Sequence, residues 1–377
     1  MPNKKIRVGI VGATVTVGGS GWGARTHVPA LHALPGYELK AVCTAHKETA
    51  LASKAAFGTE LAFHDFDTML ACPDIDLVTV VTRVPTHYDL VMRALQAGKA
   101  VYCEWPLGAT LVEAEQMAGL AAARSLYTAV GLQAHSDPTL MYARELIQQG
   151  YIGEILAVRF SYISKAITQR GSGRIWQSER SKGGNILTIG GGHSMDALSF
   201  VLGGFREISA RLATLVTQWH NTDTGEDVPV DSPDWVSVSG RLLGGAQVSF
   251  LVAAVPAQPD GQRSFEIYGR EGSLSIAAAP GAPEHNPSIY HGPNQLYVAR
   301  GKSAFSPVET PARFTLIPDG VPAGPPRNVA QAYARLATAI TEGKPFEPGF
   351  AHAVTAHRLI RAVEQSSDTG RSASLDA

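Results

Sequence analysis

The chain is poor in cysteine, carries no excess of either charge and has no long apolar run, and each shortage removes a class of explanation. Its three cysteines, Cys43, Cys72 and Cys103, are an odd and sparse set in 377 residues. They lack the C-x-x-C spacing of a zinc or redox site, so no metal centre is expected, and buried thiols on or near strands are. Lys and Arg number 32 against 33 Asp and Glu, a formal net charge of −1, and there is no basic run. Binding a polyanion needs such an excess, so neither nucleic acid nor a membrane surface is an expected partner; a small neutral or anionic ligand is. No apolar stretch reaches the roughly 20 residues that span a bilayer. Met1 to Arg7 leads straight into a strand without the segments of a signal peptide, so a cytoplasmic location is expected.

What the chain does have is 45 % hydrophobic residues over a length that favours two domains. In its first third, short apolar runs alternate with helical spacing, the pattern of a parallel sheet with crossover helices. Strands are expected at Ile6–Val11, Glu38–Cys43, Leu61–Phe63, Leu77–Val81 and Ala100–Cys103, with helices at Thr26–Leu34, Lys47–Phe57 and His87–Ala97. From about Ile155 the strands lengthen and alternate, as in Leu156–Tyr162 and Trp235–Gly240, and Gly-rich turns join them. This predicts an antiparallel sheet with one covered face and one face free for a partner subunit. Ala277 to Pro326 is rich in Pro and Gly and reads as loop crossed by a short strand at Gln295–Val298, before helices at Asn328–Glu342 and His352–Ser367.

The first strand ends on Gly12, and Gly21-Trp22-Gly23 opens the next helix. A strand, a glycine turn and a helix N-terminus let backbone amides approach a pyrophosphate. The spacing departs from G-x-G-x-x-G, because eight residues, Ala13 to Ser20, separate Gly12 from Gly21. At the end of the second strand, where a carboxylate would bond the ribose 2′-hydroxyl of NAD, stand Thr44, Ala45, His46 and Lys47. A hydroxyl, an imidazole and an ammonium suit a 2′-phosphate better, so NADP is expected over NAD.

A series of motifs then carries a resemblance. Gly9-x-x-Gly12, Thr26-His27-Val28-Pro29-Ala30-Leu31, Thr82-x-x-Pro85-Thr86-His87, Ala97 to Leu107 with Glu104-x-Pro106, and Gly150 to Ile155 follow one another along nearly the whole chain. This order resembles the glucose-fructose oxidoreductase and inositol dehydrogenase (Gfo/Idh/MocA) family. The lengthened turn, the Glu104-Trp105 pair, Leu132-Gln133 and Gly192-His193-Ser194-Met195-Asp196 resemble the branch of the fungal galactose-pathway repressor, a cofactor-sensing binder of a protein partner. The resemblance implies a Rossmann dinucleotide-binding domain over 1–134. It implies a substrate-binding and oligomerisation α+β domain with a large, mostly antiparallel sheet over 135–377, whose last helices can pack back on the first. It also implies a homodimer or dimer of dimers through that sheet, and adds Thr82, Val84, His87, Glu104, Trp105 and Gln133 to the cofactor-binding set of Gly12, Gly21, Trp22, Gly23, Thr44, His46 and Lys47.

Enzymes of the family pair the lysine of Glu-Lys-Pro with an Asp-x-x-x-His unit to take an alcohol proton as hydride leaves to the nicotinamide. Here Trp105 replaces the lysine and Ile189 stands four residues before His193, with Thr188 beside it. An indole does not titrate near neutral pH, so Trp105 can only stack or form a wall. His193 is the remaining candidate acid–base residue. A lone histidine is more often structural, and only its match to the family histidine brings the functional reading level. Lys165, Arg174, Trp176 and Lys182 precede the His193 helix where substrate contacts are expected, with Lys165, Trp176, Trp105 and His193 as the candidates, although each is also an ordinary surface residue type. Three functions stay open: an NAD(P)-dependent oxidoreductase on a sugar, polyol, or cyclic alcohol or ketone; a non-catalytic cofactor-binding regulator; and a redox-neutral enzyme that retains its cofactor.

Overall fold

The computed structural model describes residues 5–15, 21–256, 262–280, 288–322 and 324–375. Residues 1–4 and 16–20, which include most of the lengthened turn after Gly12, lie outside the described residues. The chain divides into two compact units. The first comprises 1–132, 181–183 and 316–355; the second comprises 133–180, 184–315 and 356–377.

The first unit is built on six parallel strands: β1 (Ile6–Val11), β2 (Tyr37–Cys43), β3 (Leu61–Phe63), β4 (Leu77–Val80), β5 (Ala100–Glu104) and β6 (Thr128–Gly131), in the order β3-β2-β1-β4-β5-β6. All four residues of β4, Leu-Val-Thr-Val, are buried. Parallel strands covered on both faces read as continuous apolar runs for this reason. The crossover helices are α1 (Val28–Ala33), α2 (Lys47–Phe57), α3 (Phe66–Ala71), α4 (His87–Gln96) and α5 (Leu111–Ala123). A π-helical turn over Gly23–His27 precedes α1, so the helical segment begins three residues before the expected Thr26. Helix Pro325–Glu342 completes the core by placing Val329, Ala330, Tyr333 and Leu336 among Val8, Ile10, Val42 and Tyr102.

In the second unit, α6 (Pro138–Gln148) and α7 (Gly192–Leu202) accompany a nine-stranded sheet. Its central strand is β7 (Ile155–Lys165). Further along the chain come β8 (Gln169–Arg170), β9 (Phe205–Ala213), β10 (Gln218–Asn221), β11 (Asp227–Pro229), β12 (Trp235–Leu242), β13 (Gln247–Val255), β14 (Gln262–Gly269), β15 (Gly272–Ala278), β16 (Asn294–Arg300), β17 (Ser306–Val308) and β18 (Ala373–Ser374). The large sheet runs β17-β16-β15-β14-β7-β13-β12-β9-β18, while β11-β10-β8 form a separate small sheet. The large sheet is mostly antiparallel, as expected, but β7 pairs with β13 in parallel, from Ala157 opposite Gln247 to Lys165 opposite Val255. That pairing brings together strands separated by the whole of α7, β9 and β12, a long-range choice that strand periodicity does not encode. Val158, Phe160 and Tyr162 point to the buried face, and Phe160 stacks on Phe250 at 5.0 Å between centroids. The opposite face alternates Arg159, Ser161 and Ile163 and is only partly covered.

The stretch from Ala277 to Pro326 holds more strand than expected, because β16 and β17 pair antiparallel through Leu296 and Val308. The small sheet was not visible in the sequence, since its strands are two to four residues long. Cys43 and Cys103 are buried and Cys72 is partly so, which corrects the expectation of three buried thiols. Cys72 caps the C-terminus of α3 at the surface instead of lying within a strand. Among the described residues, no helix is long and apolar enough to cross a membrane.

Candidate functional site

In the first unit, the strand order reverses between β1 and β4, and ligands of open α/β sheets bind outside the carboxyl ends of the strands at such a point. Gly12 sits there with φ +94°. A Cβ at this position would run into the Val81 carbonyl oxygen, so only glycine fits the turn. Its amide donates to the Cys43 carbonyl at 3.3 Å, tying the turn to the end of β2. Gly21, with φ +66°, precedes Trp22 and Gly23, and its carbonyl accepts from Arg25 N at 2.9 Å in the first helical turn. Glycines at positions 12, 21 and 23 leave backbone open beside a helix start, the form of a pyrophosphate cradle, so these residues fit a dinucleotide.

At the end of β2, Thr44 Oγ1 donates to the His46 carbonyl at 3.0 Å, and His46 and Lys47 stand exposed at the start of α2. After β4, Thr86 Oγ1 lies 2.8 Å from Thr82 Oγ1, and Val84 is buried in the intervening turn. His87 faces the Pro106 carbonyl with Nδ1 at 2.9 Å and the Thr82 carbonyl with Nε2 at 3.2 Å. Burial pushes its pKa down, so the ring is neutral and carries one proton, which the shorter bond places on Nδ1. His87 therefore braces the Glu104–Pro106 turn by donating to the Pro106 carbonyl. Trp105 is buried, 5 % exposed, and precedes Pro106 through a cis peptide bond. Glu104 accepts a bond from His27 within the buried centre of the unit.

In the second unit, a partly open pocket of about 190 Å³ lies between the end of β7, the small sheet and the turn leading into α7. Tyr162, Ser164 and Lys165 line it from β7; Arg170 and Trp219 line it from the small sheet; Ile186 and Ile189 line it from the turn. That turn is a π-helix over Leu187–Gly191, held at its start by reciprocal bonds. Asn185 N donates to Thr188 Oγ1 at 3.0 Å, and Thr188 N donates to Asn185 Oδ1 at 3.1 Å. Thr188 is thus a capping residue, and the side chain presented to the cavity is the apolar Ile189. Trp176 packs against Gly184, where a Cβ would collide with the indole.

His193, in the first turn of α7, is buried and stacks on Tyr290 at 3.9 Å with the rings 13° apart; Tyr290 lines the cavity. Desolvation pushes its pKa down to about 3, with His291 adding to the effect and the Asp196 charge opposing it. Asp196, one turn later, also meets His135 Nε2 at 3.1 Å. The imidazole is therefore neutral at physiological pH.

Of the sequence candidates, Lys165 reaches the cavity directly and His193 is one ring removed from it, through Tyr290. Arg174 also lines it, and Trp176 stands beside it against Gly184. Lys182 falls in the first unit and Gln133, buried, opens the second. Sequence reasoning missed Arg170, Trp219 and Tyr290, which come from segments up to 120 positions apart and carry no shared motif.

Residues 6–132 match the oxidoreductase family with an NAD-binding Rossmann fold, and residues 138–278 match the C-terminal domain of Gal80p. The dehydrogenase aclE of Aspergillus oryzae is 32 % identical over 284 residues, 73 % of this chain and 77 % of that protein. The chain belongs to the Gfo/Idh/MocA oxidoreductase family. Within the family it is also similar to the galactose/lactose metabolism regulatory protein GAL80 of Saccharomyces cerevisiae, 26 % identical over 332 residues, 79 % of this chain and 74 % of that one. A solved structure of levoglucosan dehydrogenase in complex with NADH and levoglucosan has the same fold, with a TM-score of 0.84 at 24 % identity over 99 % of this chain and 100 % of that one. As a Gfo/Idh/MocA protein, the chain carries an NAD-binding Rossmann domain followed by a Gal80p-like second domain.

Proposed function

We propose that the chain is an NAD(P)-dependent oxidoreductase that interconverts a CH–OH group and a carbonyl on a sugar, polyol or related cyclic substrate. The observation that carries this reading is His193, a buried neutral imidazole one ring from the pocket of the second unit. A nicotinamide nucleotide supplies the two-electron hydride acceptor or donor when bound. Gly12, Gly21, Trp22 and Gly23 would hold its pyrophosphate, with Thr82, Val84, Glu104 and Gln133 as further contacts and Trp105 as an aromatic wall. Thr44, His46 and Lys47 would meet its 2′-phosphate, which favours NADP.

Oxidation requires a group that accepts the hydroxyl proton, and a neutral imidazole is in the correct state to do so. Burial makes the resulting imidazolium costly, so His193 holds the proton only briefly, assisted by the Asp196 charge. The chain would assemble as a homodimer or dimer of dimers through the half-covered face of the large sheet; a monomeric mass at micromolar concentration in sedimentation would contradict this.

A second reading, a non-catalytic cofactor-binding regulator, is supported by the Gal80p-like second domain and by Trp105 and Ile189 at the positions of the family's lysine and aspartate. The deciding experiment mixes the protein anaerobically with NADP⁺ or NAD⁺ and a panel of sugars, inositols and cyclic alcohols. Absorbance of reduced nicotinamide with any substrate establishes the oxidoreductase. Tight cofactor binding with no turnover across the panel counts against it, in favour of the regulator or of a redox-neutral enzyme that retains its cofactor.

A further inference from the structure

The cavity of the second unit is cationic. Lys165, Arg170 and Arg174 line it, and the carboxylate among its lining residues is Asp234. Both Asp234 oxygens are already engaged, accepting from Leu215 N at 2.7 Å and Val216 N at 2.8 Å. The position before α7 that could have carried a balancing acid is Ile189.

Arg170 is the centre of this charge. Its backbone is fixed in the small sheet opposite Asn221, and its guanidinium lies over the Trp219 ring at 4.8 Å. Stacking on an indole sets the plane of the guanidinium and leaves its edge free to form a two-pronged contact. Arg170 Nε is buried without a hydrogen-bond partner among the described residues. A desolvated guanidinium beside a second one is costly unless an anion joins it. Burial, followed by the charge of Arg174, pushes the Arg170 pKa down to about 10, so it stays charged at neutral pH.

We infer that the cavity takes a substrate bearing a carboxylate or phosphate beside its hydroxyl groups, with the Arg170 guanidinium as the anchor and Arg174 and Lys165 as supporting charges. The inference rests on reading this cavity as the substrate site and names the substrate class. At about 190 Å³ the space lies below the roughly 300–1,000 Å³ of drug-sized sites, which suits a monosaccharide-sized acid and is too small for a folded peptide. A guanidinium held flat by an aromatic ring matches a planar carboxylate or two oxygens of a phosphate in the same way.

The test is calorimetric titration of the NADP⁺-loaded protein with D-glucuronate, D-glucose 6-phosphate and D-glucose. One of the two anions should bind at least about 10-fold tighter than glucose, the scale of one charge-assisted contact, and which one does so identifies the anionic group. Arg170→Gln should abolish that preference, and Arg170→Lys should retain part of it. Arg174→Gln, expected to reduce the preference less, provides the second variant if Arg170→Gln melts at a lower temperature than the parent. Anions that bind no tighter than glucose, or an Arg170→Gln protein that keeps the preference, would overturn the inference. Calorimetry does not depend on turnover, so the two readings can fail separately. Oxidation of neutral sugars without anion preference overturns the anionic class and leaves hydride transfer standing; Arg170-dependent anion binding without turnover supports the class and counts against hydride transfer.

Discussion

His27 Nε2 lies 3.0 Å from Glu104 Oε1 in the buried centre of the first unit. The glutamate of the Glu104-Trp105-Pro106 segment is thereby tied to the helical turn that follows the glycines. The contact continues inward. His27 Nδ1 is 2.9 Å from Tyr333 Oη, and Tyr333 Oη is 3.0 Å from Thr79 Oγ1. One arrangement of protons satisfies all three: Thr79 donates to Tyr333, Tyr333 to His27 Nδ1, and His27 Nε2–H to the carboxylate. Tyr37 Oη adds a bond to the Tyr333 carbonyl at 2.7 Å.

Tyr333→Phe removes the middle of that chain and leaves the His27 nitrogen and Thr79 hydroxyl unsatisfied in the interior. The expected loss is about 1–3 kcal/mol in urea unfolding monitored by circular dichroism. A variant as stable as the parent would show that the chain of bonds contributes nothing.

Gly12→Ala places a Cβ against the Val81 carbonyl oxygen at a backbone φ of +94°. The turn must shift to accommodate it, at about 1–3 kcal/mol for a strained non-glycine residue. Cofactor affinity should fall at least about 10-fold, because the amides that approach the pyrophosphate move with the turn. Unchanged NADP⁺ titrations would place the nucleotide elsewhere.

Acid should destabilise the second unit through its buried histidines. Burial lowers His193 to about 3 and His291 and His357 to about 4, from an ordinary 6.5. Between pH 6.5 and about 4 the unfolded chain therefore binds more protons than the folded one, so stability falls as pH falls through that window. Each histidine contributes at most about 1.4 kcal/mol per pH unit. His357→Gln, which removes one of these groups from the second unit, should flatten the dependence of unfolding free energy on pH between 6.5 and 4.5. An unchanged slope would mean that His357 titrates freely in the folded protein.

If His193 is the base, His193→Ala should lower kcat about 10²-fold or more while leaving cofactor affinity nearly unchanged. In the parent enzyme, oxidation should show no loss of rate attributable to protonation of a group near pH 6.5, because burial keeps this imidazole neutral well below that. An acid limb at 6 to 7 that disappears in His193→Ala would show that the ring is solvated in the working enzyme. Full activity of the variant would remove His193 from the chemistry.

The sequence by itself determined the parallel sheet, the glycine turn and the family. Runs such as Leu77–Val80 read as buried on both faces because Leu77 puts an apolar side chain on one face and Val78 and Val80 on the other, and Gly12 ends a strand where only glycine fits. These features depend on a few neighbouring residues, so local composition encodes them. Tertiary structure decided the cavity and the buried bond chain. Arg170 meets Trp219 across 49 positions, and His27 meets Tyr333 across 306. Periodicity reports which face of an element is buried and not which distant residue lies opposite. The parallel pairing of β7 with β13, and the cations gathered around one pocket, follow from packing that brings remote segments together. His193 shows both levels at once: its position was readable as a motif, but its neutral state arises from burial, with His291 adding to the effect.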